Sequence, residues 1–118
     1  DWSSLSAGGA HSLARKTDGT AWAWGSNTFG RLGDSSNTNR SSPVQIGTLT
    51  NWSSIAGGST HSLARKTVGT IWAWGGNTRG RLGDSSTADR SSPVQIGTLT
   101  NWTTIGVGGA ASHGAVVR

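Results

Sequence analysis

The side chains able to do chemistry in this chain are few and widely spaced. His11 and His61 stand 50 residues apart, and equivalent histidines converging around one axis would suit a metal ion or an anion. No carboxylate accompanies either of them at ligand spacing, so we interpret both as polar strand residues satisfied by neighbouring groups. The acidic side chains are Asp1, Asp18, Asp34, Asp84 and Asp89, all expected at turns, loops or the terminus. Paired carboxylates, a nucleophile elbow or a phosphate-binding loop cannot be assembled from them, so we predict no catalytic, metal or cofactor site.

The charge balance is basic, with ten Lys or Arg against five Asp, no Glu and a net charge of +5. Such a balance would suit an acidic partner, but the basic residues are scattered rather than clustered, which favours an ordinary solvated surface. The absence of cysteine excludes a disulfide framework and a thiolate metal site. No apolar run approaches the roughly 18 residues of a membrane span, so we expect no membrane partner.

An internal repeat dominates the sequence. Residues 1–50 align with residues 51–100 without a gap, and 37 of these 50 positions are identical. A third, partial copy occupies residues 101–118, where Ala111 replaces the repeated histidine and His113 follows two residues later. Repeats this similar should fold as equivalent units stacked side by side, and we expect the atypical third copy to be a terminal, capping one.

Each full repeat is predicted to contain four strands and no helix. In the first repeat we place them at Trp2–Ala7, His11–Lys16, Ala21–Trp24 and Pro43–Ile46. Asp18-Gly19 joins the second and third strands as a tight hairpin. Proline is tolerated at the first position of the fourth strand because no N–H is needed there.

A four-stranded unit of about 50 residues is typical of a propeller blade. Trp22 and Trp24 would lie on one face of the third strand, with Ala21 and Ala23 on the other. This alternation predicts that large side chains of one blade pack onto small ones of the next. The predicted blade core is Leu13, Trp22, Trp24, Leu32, Leu63, Trp72, Trp74 and Leu82.

The motifs His61-Ser62-Leu63-Ala64, then 69–75, Asn77 and Gly80-Arg81-Leu82-Gly83, and 92–97 together resemble the RCC1 (regulator of chromosome condensation) repeat over the whole chain. The resemblance implies an all-β propeller, usually of seven blades, with the sequence repeat offset from the blade. Kelch repeats share the period but carry tyrosines, which this chain lacks. Near-identical repeats are more similar to the bacterial and phage arrays of the family.

The chain departs from the family pattern at two kinds of position. Arg31 and Arg81 stand where a glutamine is usual, and Val68 replaces the turn aspartate, which should weaken that hairpin. The family includes a nucleotide-exchange factor bound to chromatin. The loop insertion and the acidic and histidine residues on which exchange depends are not found here, so that activity is not carried over.

About two and a half blades cannot close a ring, because closed propellers need about four to eight. We therefore expect exposed apolar blade faces that invite association. Three explanations stay open: an excerpt of a longer array, a ring completed by three or four copies, or packing against other subunits of an assembly.

The lead hypothesis is a non-enzymatic module for protein–protein contact or structural assembly, in an extracellular or virion setting. The connection between the third and fourth strands, 17 residues long, supplies the candidate partner contacts. They are Phe29, Arg31, Arg40, Arg79, Arg81 and Arg90. The seven tryptophans support a glycan-binding alternative, and an exchange-type regulator is a further one. Nucleic acid is disfavoured, because the tryptophan pairs and the arginines lie in different elements.

Overall fold

The computed structural model of the chain describes residues 1–77, 82 and 88–97, together with the backbone of two later strands, and its fold is all-β as predicted. The described residues form no helix long and apolar enough to span a bilayer. The strands are β1 (Trp2–Ala7), β2 (His11–Lys16), β3 (Ala21–Gly25), β4 (Arg40–Gln45), β5 (Trp52–Gly57), β6 (His61–Lys66), β7 (Ile71–Gly75), β8 (Arg90–Gln95), β9 (Thr104–Val107) and β10 (Gly114–Val117).

The strands form two antiparallel four-stranded sheets and one two-stranded sheet. The first blade has the order β1-β2-β3-β4, the second has the order β5-β6-β7-β8, and β9 pairs with β10. The chain therefore builds propeller blades that do not close a ring, which confirms the predicted fold class.

The fourth strand begins at Arg40, three residues before the predicted start at Pro43. Gly25 pairs with Arg40 and Ala23 pairs with Val44, so the register shifts between these pairs. Pro43 lies in this irregular stretch of an edge strand, where its missing N–H breaks no ladder bond. A bulge thus lets the strand extend past the proline that was expected to begin it.

The hairpin between β2 and β3 takes the predicted turn, with Gly19 at a φ of 85°. Oδ1 of Asp18 accepts hydrogen bonds from the Thr20 hydroxyl at 2.6 Å and the Thr20 amide at 3.0 Å. These bonds hold the pKa of Asp18 below its usual value. Val68 cannot make them, yet Gly69 keeps a φ of 92°, so the glycine alone suffices for this backbone path.

The register of β10 on β9 differs from that of β6 on β5. Val116 pairs with Ile105, whereas Ala64 pairs with the equivalent Ile55. Gly114 therefore takes the register position that Ser62 holds in the second blade. Ala111 and His113, on which the interpretation of the third copy depends, lie outside the described residues.

The main core lies between the two blades rather than within either one. It joins side chains of the first blade to side chains of the second: Leu13, Ala21, Ala23, Leu32 and Ile46 with Trp52, Ala64 and Trp74. Tryptophans of one blade thus pack onto alanines of its neighbour, which confirms the predicted packing of large onto small side chains. Leu63, Ala73 and Leu82, at the matching positions of the second blade, form a cluster of their own.

Candidate functional site

The candidate site is the face of the first blade that carries Trp2, Leu5 and Trp24. The equivalent face of the second blade is covered by the first blade, whereas no described residue covers this one. Trp2 is 52% exposed and Trp52 only 2%. We call the uncovered surface, which also includes Ser3 and Ser4, the open face.

The open face is already in the conformation of its covered counterpart. The Trp2 ring lies 6.2 Å from Trp22 at an interplanar angle of 87°, and the corresponding pair in the second blade lies 6.3 Å apart at 88°. Trp2 and Trp24 also lie 6.2 Å apart, at 57°. A cleft of about 520 Å³ opens beside these rings. The surface is thus preformed, so a partner would not have to reorganise it on binding.

Burial of the tryptophans is less complete than the repeat pattern predicted. Trp74 is fully buried, while Trp22, Trp24 and Trp72 are only half-buried. Trp24 lacks a neighbouring blade. The indoles of Trp22 and Trp72 instead donate to the hydroxyls of Thr20 and Thr70, at 2.8 and 2.9 Å.

The surface that covers Trp74 shows what the open face would accept. Leu32 of the long connection is fully buried against the second blade. Gly33, at a φ of 77°, lies so close to the Trp74 ring that an added Cβ would stand 2.6 Å from Nε1. The amide of Ser35 donates to the carbonyl of Ser91 at 2.7 Å. The long connection of one blade therefore packs against the next blade and covers its Trp74.

Asn27 shapes this connection from its interior, and sequence reasoning did not assign it a role. Its side chain is fully buried, and its Oδ1 accepts from the Leu32 amide at 2.9 Å. Its Nδ2 lies 3.0 Å from Asp34 Oδ1 and 2.9 Å from the carbonyl oxygen of Ser36. The recurrence of a buried asparagine at Asn77, bonded to the Leu82 amide at 3.0 Å, is the signal that could have identified it.

The residues predicted to contact a partner do not share one surface. Arg31 is only 6% exposed, and its guanidinium donates to the carbonyls of Thr28 and Ser59, at 3.0 and 3.2 Å. Burial lowers the pKa of Arg31 from its usual value. The structure therefore places Arg31 inside the blade junction and not on the exposed surface expected for it, because the long connection folds against the next blade.

The other candidate contacts lie nearer to solvent. Phe29 is 41% exposed and holds a φ of 66°. Arg40 is partly exposed and pairs with Oδ2 of Asp34 at 3.0 Å. Burial raises the pKa of Asp34, but hydrogen bonds from Ser36, Arg40 and Asn27 outweigh it and hold that pKa below its usual value. Arg90 is half-buried, while Arg79 and Arg81 lie outside the described residues.

His11 bridges the two blades. Its Nε2 lies 2.9 Å from Oγ of Ser62, and that hydroxyl donates to the carbonyl of Arg31 at 2.8 Å. Because the hydroxyl has one proton, the Nε2–H of His11 must be the donor to Ser62. Burial first, then the charges of Arg31 and His61, lowers the pKa of His11 to about 4. Within the described part of the chain, His, Asp and Glu side chains form no group of three able to hold a metal ion.

Comparison with models of known protein families identifies the family of this chain. The model of the regulator of chromosome condensation (RCC1) repeat matches residues 18–65 and 68–117, and a second model of the same description matches 2–31 and 52–81. The chain belongs to the RCC1 repeat family. The first RCC1 match runs from the β2–β3 turn of one blade to β6 of the next, so the sequence repeat is offset from the blade.

Solved propellers resemble the chain in fold. Prp20p of Saccharomyces cerevisiae, in a study of its binding to Gsp1p and histones, is 23% identical with a TM-score of 0.81 over 92% of this chain and 29% of that one. Yeast RCC1 (Prp20) bound to Kap60 is 24% identical, with a TM-score of 0.84 over 100% and 30%. Human WBSCR16 is 25% identical, with a TM-score of 0.77 over 89% and 28%. The chain thus spans less than a third of each neighbour, and these yeast and human proteins lend no support to a bacterial or phage affiliation.

Proposed function

We propose that this chain is a non-enzymatic part of an RCC1-type propeller that works by binding protein through its open face. The observation that carries the proposal is the contrast between Trp2, 52% exposed, and Trp52, 2% exposed, in nearly identical repeats. Leu5, on the same face, is 70% exposed. A preformed apolar surface of this kind is typical of an interaction site.

The partner that fits best is the edge of another RCC1-type blade. In the chain itself, the matching face is covered by Leu13, Leu32 and Gly33 of the neighbouring blade. A second copy of the chain carries the repeat equivalents of these residues in its second repeat, at Leu63, Leu82 and Gly83, so we take copies of the chain as the first partner to test. The neighbours bound to Kap60, or studied for their binding to Gsp1p and histones, support protein as the class of partner.

The test is the native mass of the chain in solution, measured by light scattering over a range of concentrations. We expect discrete, concentration-dependent association that Leu5→Glu abolishes, because a charge on the open face would have to be buried. Val68→Glu is the matched control, since Val68 is 61% exposed on a hairpin turn. A monomer at every concentration, or equal effects of the two variants, would contradict association through this face.

Glycan binding is the second candidate, favoured by the exposure of Trp2 beside a cleft of about 520 Å³. Besides the indole N–H groups of Trp2 and Trp24, the lining offers the hydroxyls of Ser3 and Ser4 as polar groups, whereas sugar sites combine aromatic rings with several precisely placed polar groups. Sugars that quench tryptophan fluorescence in the wild type but not in Trp2→Ala would favour this candidate over protein binding.

Nucleotide exchange is the weakest candidate. Identities of 23% and 24% to the yeast propellers support a common fold and not a common activity. Acceleration of nucleotide release from a small GTPase by the chain would establish it, and a flat result would remove it.

A further inference from the structure

Lys66 is a buried cation without an anion. The residue is 9% exposed, and its Nζ lies 3.8 Å from the ring centroid of Trp72 and 5.2 Å from that of Trp52. In the part of the chain that the structure describes, Nζ takes part in no ion pair and no hydrogen bond. Burial lowers the pKa of Lys66. Two aromatic faces stabilise the ammonium in part, and no described carbonyl, carboxylate or hydroxyl accepts from its three N–H donors.

Lys66 lines a cleft that forms between the two stacked blades. The cleft has a volume of about 170 Å³ and is bounded by Lys66, Trp72 and Pro93 of the second blade and by Ile46 and Leu49 of the first repeat. Ile46 is fully buried, whereas Leu49 is 44% exposed. The cleft therefore opens to solvent at Leu49, and Lys66 supplies the charge inside otherwise apolar walls.

The size and chemistry of the cleft select one kind of ligand. Pockets for free small molecules usually enclose about 300–1,000 Å³, so this cleft suits a single side chain better. Unpaired N–H donors favour a carboxylate, and apolar walls favour the methylene groups that carry it. The net charge of +5 would also attract an acidic segment. We propose that this cleft, the Lys66 cleft, binds the carboxylate of an acidic side chain presented by a protein partner.

The first blade holds a matched control. Nζ of Lys16 lies 5.0 Å from the centroid of Trp2 and 4.1 Å from that of Trp22, so it has the same aromatic contacts as Lys66. No described residue supplies the second wall there, and Trp2 is 52% exposed. A variant at Lys16 therefore tests whether a cation over two tryptophan rings binds the ligand in the absence of the cleft.

The test is a titration of the 118-residue chain with acetyl-Gly-Glu-Gly-amide, followed by the NMR signals of the tryptophan indole N–H groups. We expect saturable shifts of the Trp72 signal, and a Gln-containing peptide should bind at least about tenfold more weakly, as expected for one charge-assisted hydrogen bond. Lys66→Met should weaken binding of the Glu peptide by a similar factor, and Lys16→Met should not. Lys66→Gln is a second variant, and thermal unfolding shows whether each variant is folded.

Three results would overturn the proposal: equal affinities for the Glu and Gln peptides, equal losses in Lys16→Met and Lys66→Met, or no shift of Trp72 at saturating peptide. Tighter, Lys66-dependent binding of inorganic phosphate would overturn the choice of a carboxylate in favour of a phosphorylated ligand. The Lys66 cleft is separate from the open face, so Leu5→Glu should retain peptide binding. Failure of one proposal is therefore distinguishable from failure of the other.

Discussion

Acid should destabilise the chain through His11, well before its carboxylates are protonated. The imidazole is 4% exposed, and its Nε2 lies 2.9 Å from the Ser62 hydroxyl at the blade junction. Burial, with smaller effects from Arg31 and His61, lowers the pKa of His11 from 6.5 to about 4. The unfolded chain therefore takes up a proton on this residue at a higher pH than the folded chain does.

The sign and size of the effect follow from linkage. Because the folded pKa lies below the unfolded one, the contribution of neutral His11 to stability is complete above about pH 6.5 and is lost as the pH falls towards about 4. At about 1.36 kcal/mol per pKa unit, the loss in the free energy of unfolding is about 3 kcal/mol. The carboxyl groups of Asp18 and Asp34, whose pKa values lie below 3.8, lose their contributions only at lower pH.

The assay is urea denaturation of the wild type and of His11→Gln at several pH values between 7.5 and 4.5. Glutamine keeps an N–H donor for Ser62 but does not titrate, and His61 is present in both proteins, so the difference between their pH profiles measures His11 together with its coupling to His61. We expect the wild type to lose most of this 3 kcal/mol over the interval and the variant to lose clearly less. Parallel profiles, or an NMR titration of His11 centred near pH 6.5, would refute the reasoning.

Two further predictions use the repeat as its own control. Trp52→Ala should lower the free energy of unfolding by about 3–5 kcal/mol, and Trp2→Ala by clearly less, because only Trp52 lies in the inter-blade core; equal losses in chemical denaturation would be the contrary result. Gly47→Ala should cost only the strain of a positive φ, about 1–2 kcal/mol, since nothing lies within 4 Å of its new Cβ. Gly33→Ala should cost more, because the new methyl group must displace the Trp74 ring, and thermal unfolding of the two variants checks the order.

Local patterns predicted the blade well. The Asp18-Gly19 turn and the alternation of alanine and tryptophan in β3 depend on neighbours within a few residues, and the first two strands of the first repeat have the predicted bounds. The start of β4 was misplaced because a bulge, which depends on pairing with Gly25, accommodates Pro43. Local sequence patterns predict which residue types a strand accepts, but they do not predict the register in which the strand pairs with its neighbour.

The environment of the long connection was beyond prediction from local patterns. Arg31 and Phe29 are two residues apart in a polar segment, yet one is 6% exposed and the other 41%. The difference arises because the segment folds onto the next blade. Arg31 donates to the carbonyl of Ser59, 28 residues further along the chain, and Gly33 packs against Trp74, 41 residues further along. A polar loop sequence predicts that its arginine is exposed, and the burial of Arg31 follows only from the packing of the next blade against that loop.

Sequence identity between the repeats therefore does not give them identical roles. Trp2 and Trp52 share their residue type, strand position and ring contacts. They differ in that a neighbouring blade covers Trp52, whereas no described residue covers Trp2. The same holds for Lys16 and Lys66. Each lies over two tryptophan rings of its own blade, but only Lys66 lines a cleft whose other wall comes from the neighbouring blade. The two binding proposals place function at the junctions between repeats, so a variant at one copy is best interpreted beside the same variant at the other. If paired variants at Lys16 and Lys66 bind the acidic peptide differently, the junction and not the repeat is the functional unit.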